Sequence, residues 1–99
     1  MLSAAALART GMSAATLRQD SAAHNIANLQ TPGFRRQQVV QQTLPEGGVT
    51  ATVTRTATPG EDLAGDRVEQ RMALYTFKAN LEVFKSQDRM LASLLDAKA

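Results

Sequence analysis

The sequence predicts a mainly α-helical protein in which two long terminal helices pair as an antiparallel helical hairpin, with a small β-hairpin between them. Two long segments carry apolar residues at alternating intervals of three and four, a pattern typical of helices that pack side by side. A β-branched segment of period two lies between them. The chain of 99 residues fits one domain, 1–99, with a helix over about 3–30, a turn and β-hairpin over about 31–60, and a helix over about 62–97.

The first predicted helix, from about Ser3 to Leu29, has an apolar stripe built mainly of small residues. We call this stripe the Ala/Met seam, with Gln19 as its polar member; its other members are Ala5, Ala8, Met12, Ala15, Ala22, Ile26 and Leu29. Alanine buries little area, so the isolated helix would be only marginally stable. The small side chains let another helix approach closely, and Gly11 indicates either a tight contact or a bend.

A turn follows this helix at residues 31–34. Pro32 lacks an amide donor and disfavours a helical conformation at Thr31, so the helix must stop by about Gln30. Pro32 and Gly33 fit the central pair of a type II turn. That turn requires a positive φ at Gly33.

Two asparagines, Asn25 and Asn28, precede the turn on one side of the helix. Their amides can bond the carbonyl groups that the helix end leaves without partners. They can also tie one subunit to a neighbour in an assembly. The spacing is compatible with both roles.

The segment between the predicted helices contains the only β-type pattern. Residues 49–57 alternate, with Val49, Ala51, Val53 and Ala57 on one face and threonines on the other. Residues 34–44 form a weaker strand candidate, and residues 45–48, Pro-Glu-Gly-Gly, provide the turn. Because two strands alone are marginal in water, we expect this hairpin to pack on the helices or on another chain.

The second predicted helix carries a stripe of large residues. We call it the Leu/Phe seam, with Asp88 as its polar member; its other members are Leu74, Phe77, Leu81, Phe84, Leu91 and Leu95. Tyr75, Met90 and Leu94 widen this apolar stripe. Asp62 or Asp66 can cap the start of the helix.

Composition excludes several classes of protein. The net charge of +2 comes without a basic tract, which argues against nucleic-acid binding. The chain has no cysteine, so disulfides and thiolate metal sites are excluded. The sequence has no run of roughly 20 apolar residues, so we expect no membrane insertion. Arg9, Gly11 and Ser13 interrupt the first apolar run, so we expect no cleavable secretory signal.

The sequence gives no sign of catalysis or of a cofactor. The only histidine, His24, has no cysteine or carboxylate at ligand spacing, so we expect no metal site. Ser21 and His24 can face each other across one helical turn, but the chain lacks a nucleophile elbow and an oxyanion feature. We therefore expect a protein that is not an enzyme.

The helix end and turn together resemble the N-terminal signature of bacterial flagellar basal-body rod proteins. The residues that carry this resemblance are Asn25, Ile26, Ala27, Asn28, Thr31, Pro32, Gly33 and Phe34. The C-terminal segment is similar to the closing helix of rod and hook proteins in residues 77–80, 88–91 and 94–96. Rod proteins are usually longer between their terminal helices, so the chain resembles a short member of the family.

The resemblance implies a structural subunit of the flagellar basal-body rod that polymerises through its terminal helices and transmits torque. It also implies export by the flagellar type III apparatus, a position in the periplasm-spanning rod, and contacts with itself and with other rod and hook subunits. We assign the Ala/Met seam to contacts between subunits and the Leu/Phe seam to the intrachain pair.

Two other hypotheses remain open at this stage. The chain fits a helical-hairpin adaptor or chaperone-like binding module that uses the same seams for a different partner. A small nucleic-acid binder is motivated only by the pI of about 9.5. Binding to nucleic acid would weaken steeply as salt rises, whereas apolar helix packing would change little.

Overall fold

The structure of the protein is a computed structural model that describes residues 3–98. Four elements follow along the chain: α1 (Ala4–Ala27), β1 (Gln37–Thr43), β2 (Val49–Arg55) and α2 (Leu63–Lys98). They form an elongated molecule of 63 × 25 × 14 Å. The predicted fold class is therefore confirmed. Neither described helix is long and apolar enough to cross a membrane.

Side chains cap the starts of both helices. The Ser3 hydroxyl accepts a hydrogen bond from the Ala6 amide at 3.1 Å, before the first turn of α1. The Asp62 carboxylate accepts one from the Gly65 amide at 3.0 Å, before α2. Of the two acidic residues predicted for this cap, Asp62 is the one that caps the helix. Asp66 is buried instead.

The two helices pack antiparallel through their smallest side chains. A Cβ atom added at Gly11 would lie 2.6 Å from the side chain of Asn80, and Asn25 bonds to Asp66 at the other end of the pair. Among the residues that the structure describes, the buried hydrophobic side chains are all alanines: Ala8, Ala14, Ala15, Ala22 and Ala73. Alanine at the contact brings the helix backbones close together, so the core is narrow and lies between α1 and the first half of α2.

The role assigned to the Ala/Met seam needs correction. Ala8, Ala15 and Ala22 are buried within the chain, so they hold the intrachain helix pair and are closed to a neighbouring subunit. The other members of the seam are half-buried: Ala5, Met12, Gln19, Ile26 and Leu29. Small side chains favour the closest helix approach, and in this chain α2 already occupies that contact surface of α1.

The Leu/Phe seam packs less deeply than predicted. Three of its apolar members are half-buried, Phe77, Leu81 and Phe84, and the other three are exposed, Leu74, Leu91 and Leu95. The polar member, Asp88, is also exposed. Part of the reason is length, because α2 has 36 residues and α1 only 24. The register of Gly11 with Asn80 places the start of α1 level with roughly residue 87. We call residues 88–98, which extend past α1, the α2 extension.

The β-hairpin lies along α1. β1 and β2 pair antiparallel from Gln37 opposite Arg55 to Thr43 opposite Val49, and the Leu44 amide donates to the Gly48 carbonyl across the predicted turn. Within the described residues both strands pack against α1 and neither packs against α2. The prediction that the hairpin packs on a helix is confirmed.

The hairpin touches α1 with only part of its predicted inner face. The Val49 amide donates to the Thr10 hydroxyl at 3.2 Å, and Val49 and Ala51 are half-buried. Val53 and Ala57 were expected on the same face, but both are exposed. Packing against the helix therefore covers only the end of β2 nearest the turn.

Candidate functional site

A polar junction forms where the end of α1, the start of β1 and the first turns of α2 meet. Its centre consists of Asn25 from α1, Asp66 from α2 and Arg36 just before β1. Asn25 and Asp66 are almost fully buried, with 4% and 2% of their surface exposed. Buried polar groups are costly unless they are hydrogen-bonded, so the bonds in this junction decide whether the three elements stay together.

Asn25 makes three hydrogen bonds to the other two elements. Its side-chain oxygen accepts from the Gln37 amide at 2.7 Å, and its Nδ2 donates to the Gln37 carbonyl at 2.9 Å. Nδ2 also donates to Asp66 Oδ1 at 3.2 Å. The amide thus pairs with the backbone at the first residue of β1 much as a neighbouring strand would. Asn25 fixes the position of the hairpin on α1.

Asp66 and Arg36 form an ion pair beside Asn25. The Arg36 guanidinium donates to both carboxylate oxygens, and the shorter of the two distances is 2.5 Å. This hydrogen bonding to Asp66 raises the pKa of Arg36, and partial burial opposes the rise. Arg36 therefore keeps its positive charge throughout the near-neutral range. Two oriented donors on one carboxylate make this a geometrically specific link between α2 and the hairpin.

A second ion pair flanks the junction, because Arg18 of α1 donates to Glu69 of α2. Ser21, which is buried, lines an open cavity of about 360 Å³ together with the residues of both ion pairs. The cavity wall has polar groups from all three elements. Four of its charged side chains form the two ion pairs, and the fifth, Asp62, accepts a hydrogen bond from the Gly65 amide. The junction therefore works as a structural clamp, with its bonding capacity directed within the chain.

Asn28 has a different role from Asn25. Its Nδ2 donates to the His24 carbonyl at 2.9 Å, and its side-chain oxygen accepts from the Thr31 hydroxyl at 3.1 Å. It caps α1 and steadies the turn that follows, which is the capping role predicted for both asparagines. The spacing of three residues could not distinguish these two roles, because both use the same amide group.

The turn after α1 has the predicted geometry at its glycine. Gly33 has a φ of +72°, and the Phe34 amide donates to the Thr31 carbonyl at 3.2 Å. The prediction of a positive φ at Gly33 is confirmed. The chain reverses here, which brings β1 back along α1.

Phe34 connects the turn to α1 and to β2 through contacts of its ring. Its ring lies 5.5 Å from the His24 ring, and the Arg55 guanidinium lies 5.7 Å from its centroid. His24, although exposed, therefore has an aromatic neighbour. Arg55 links the end of β2 to the turn through a cation–π contact.

The remaining motif residues lie around the junction. Ile26 is half-buried, and Ala27 and Pro32 are exposed. Sequence reasoning missed the bond between Asn25 and Asp66, because Asp66 was predicted as a helix cap, and it missed the ion pair between Asp66 and Arg36. The position of Arg36 just before a strand does not predict an ion pair, because its partner, Asp66, lies 30 residues further along the chain.

Comparison with known families gives a match that includes Asn25 and the turn after α1. Residues 7–35 match the family model described as flagella basal body rod protein. The matched segment runs along α1 through Asn25, Asn28 and the Gly33 turn, which confirms the predicted resemblance there and supports a structural role in the flagellar basal body. The match ends before β1, so the similarity of residues 77–96 to rod and hook proteins stays a prediction. No match to a curated protein was found.

Proposed function

We propose that this chain, whose residues 7–35 carry the signature of the flagella basal body rod family, is a structural subunit of the flagellar basal-body rod. The observation that carries the proposal is that the matched segment is one intact structural unit. It contains α1 from Leu7 onward, the Asn28 cap and the Gly33 turn, and it presents Asn25 to the strand that follows. The matched residues therefore position the rest of the chain.

The proposed mechanism is mechanical. Subunits polymerise through their terminal helices, and head-to-tail contacts that do not close on themselves produce a helical array. Because the alanines of α1 are engaged within the chain, the exposed α2 extension is the better candidate for such contacts. Its large exposed apolar residues are Met90, Leu91, Leu94 and Leu95. Torque would pass from subunit to subunit through the packed helices.

The wider setting follows from the same family relationship. We propose that the chain leaves the cytoplasm through the flagellar type III export apparatus and assembles in the periplasm-spanning part of the basal body. Its partners are copies of itself and other rod and hook subunits. Support for these steps comes from the family match and from the elongated helical shape.

Deletion of the gene tests the proposal. We expect cells without external filaments, while the membrane-embedded export machinery remains, because assembly beyond the rod depends on every rod subunit. Electron microscopy of whole cells and of purified basal bodies measures both results. Complementation with the unaltered chain should restore filaments, and this is the control for effects on neighbouring genes.

Normal filaments in the deletion strain would overturn the proposal. The helical-hairpin adaptor would then be the better explanation, and co-purification with proteins outside the flagellum would identify its partner.

A further inference from the structure

α2 carries a second apolar stripe, on a face turned away from α1. We call it the outer stripe, with Ser86 as its polar member; its other members are Val68, Met72, Tyr75, Ala79, Val83, Met90 and Leu94. Intervals of three and four keep these residues on one face, roughly 120° around the helix from buried Ala73. The stripe spans about 39 Å at 1.5 Å per residue. All its members are exposed, Tyr75 to 63%.

A row of basic residues runs along one edge of the outer stripe. We call it the basic row: Arg67, Arg71, Lys78, Lys85 and Arg89. Spacings of four, seven, seven and four place these side chains within a sector of about 40°. All five are exposed, and the two ion pairs of the described chain, Arg18 with Glu69 and Arg36 with Asp66, include none of them.

The opposite edge of the stripe is nearly neutral. Thr76 and Gln87 are uncharged, and Glu69 is paired with Arg18. The acidic residues on the side of the basic row are Glu82 and Asp96, so positive charge predominates there. The face therefore combines a continuous apolar stripe with an edge of net positive charge, a combination that scattered exposed apolar residues do not have.

A second copy of this chain does not complement this face. Antiparallel pairing of two outer stripes would place the basic row against itself, and like charges along a helix interface oppose pairing. Parallel pairing would place it against Thr76 and Gln87, which offer no negative charge. The helical part of α1 offers one acidic residue, Asp20. Charge complementarity thus requires a different chain.

We infer that the outer stripe and the basic row form a docking surface for an amphipathic helix of a different protein, one that carries acidic residues along the edge of its own apolar stripe. The apolar stripes supply the buried contact, and the opposite charges set the orientation and exclude self-pairing. This inference rests on the proposed function, since it makes the neighbour a non-identical subunit of the same assembly.

Two synthetic peptide helices of about four heptads test the inference on the full chain. They have identical leucines at alternating intervals of three and four, but one carries glutamate and the other lysine beside the apolar stripe. We expect the glutamate peptide to bind about tenfold more tightly at low salt, and high salt to reduce this ratio. Titration calorimetry measures both affinities.

Variants locate the binding to this face. Lys78→Glu should reduce the preference for the glutamate peptide, whereas Arg35→Glu, the same charge change in the loop before β1, should leave it unchanged. Tyr75→Glu should weaken binding of both peptides. Because Tyr75, Lys78 and Arg35 are exposed, circular dichroism should show an unchanged fold in each variant.

Several results would overturn the inference. These are equal binding of both peptides, binding of neither, or a Lys78→Glu variant with unchanged preference. A chain dimer that Tyr75→Glu dissociates would identify a second copy as the occupant, and preferential binding to phosphatidylglycerol vesicles would identify a lipid surface. The peptide experiment and the gene deletion test different proposals. If deletion removes the filaments but the chain does not prefer the glutamate peptide, the rod role stands and the docking surface is wrong. If the chain prefers the glutamate peptide but deletion leaves normal filaments, the docking surface stands and the rod role is wrong.

Discussion

Asn25 and Asn28 have the same side chain in adjacent turns of one helix, but their surroundings give them different importance. Asn25 is buried and makes three bonds to β1 and α2, whereas Asn28 is half-buried and bonds only to its own helix end and turn. A buried donor or acceptor that loses its partner bears the full desolvation cost, but a group near the surface regains water. Stability should therefore depend much more on Asn25.

Asn25→Ala should lower the free energy of unfolding by about 2 to 4 kcal/mol, because the backbone groups of Gln37 and one oxygen of Asp66 lose a buried partner. Asn28→Ala, the matched control, should cost about 1 kcal/mol or less. Urea unfolding followed by circular dichroism measures both changes. Equal costs for the two variants would show that the junction does not hold the hairpin in solution.

Gly33 should tolerate substitution according to backbone conformation rather than space. A Cβ atom at this position would meet no heavy atom within 4 Å, but the φ of +72° strains a β-branched residue. We expect Gly33→Val to cost about 1 to 3 kcal/mol and Gly33→Asn to cost clearly less, because asparagine tolerates a left-handed conformation. Thermal unfolding of the two variants compares them directly, and equal midpoints would count against strain as the cause.

The two helices meet through alanine and glycine, so this contact responds to added volume more than to lost volume. Gly11→Ala would stabilise an isolated helix by about 1 kcal/mol. In this chain the new methyl group would displace the Asn80 side chain, which donates to the Thr76 carbonyl at 2.9 Å. We expect a net loss of stability. Adding Asn80→Ala should restore it, and a double-mutant cycle measures the coupling. An additive cycle would contradict the close contact.

Ala15 lies at the centre of the helix pair with none of its surface exposed. Ala15→Leu should therefore destabilise the monomer by about 1 to 3 kcal/mol, because the added side chain forces the helices apart. The seam assignment from the sequence alone implied that Ala15→Leu would weaken only the contacts between subunits. Burial of Ala15 within the chain predicts a loss of monomer stability instead. Ala27→Leu, at an exposed position of the same helix, is the control. A monomer with an unchanged thermal midpoint would place Ala15 outside the core.

The elongated molecule has one part that is packed within the chain and one part, the α2 extension, that is not. The helix pair, the junction and the hairpin stabilise residues up to roughly 87, and the α2 extension projects past α1 with Leu91 and Leu95 exposed to 57% and 62%. Side chains that gain no burial in the chain contribute little to its stability. The extension is therefore free to contribute to contacts between subunits.

Replacing both Leu91 and Leu95 by serine distinguishes the stability of the monomer from contacts between subunits. The unfolding midpoint of the monomer should stay nearly unchanged, while complementation of the deletion strain should yield fewer filaments, because apolar area is lost only at the proposed subunit contact. Leu81→Ser, a half-buried position within the pair, should lower the midpoint and serves as the control. A midpoint lowered equally by the extension variant would show that the extension packs within the chain.

The sequence by itself determined the features that depend on neighbouring residues. Periodicity placed two helices and a hairpin in the right order, Pro32 and Gly33 predicted the turn with its positive φ, and Asn28 had the position of a cap. These features follow from backbone sterics and local hydrogen bonds, which act over a few residues. The family motif, including Asn25, was visible for the same reason, since it is a contiguous string.

Only the tertiary structure decided which faces are buried and which polar groups meet. Asn25 bonds to residues 12 and 41 positions away, and Arg36 to one 30 positions away, so no local pattern reveals these pairs. The large stripe of α2 was the stronger candidate for the intrachain core, but the alanines of α1 fill that place. The physical reason is that helix packing depends on how closely two surfaces fit, and the small residues of α1 allow a closer approach than hydrophobicity along either helix alone predicts.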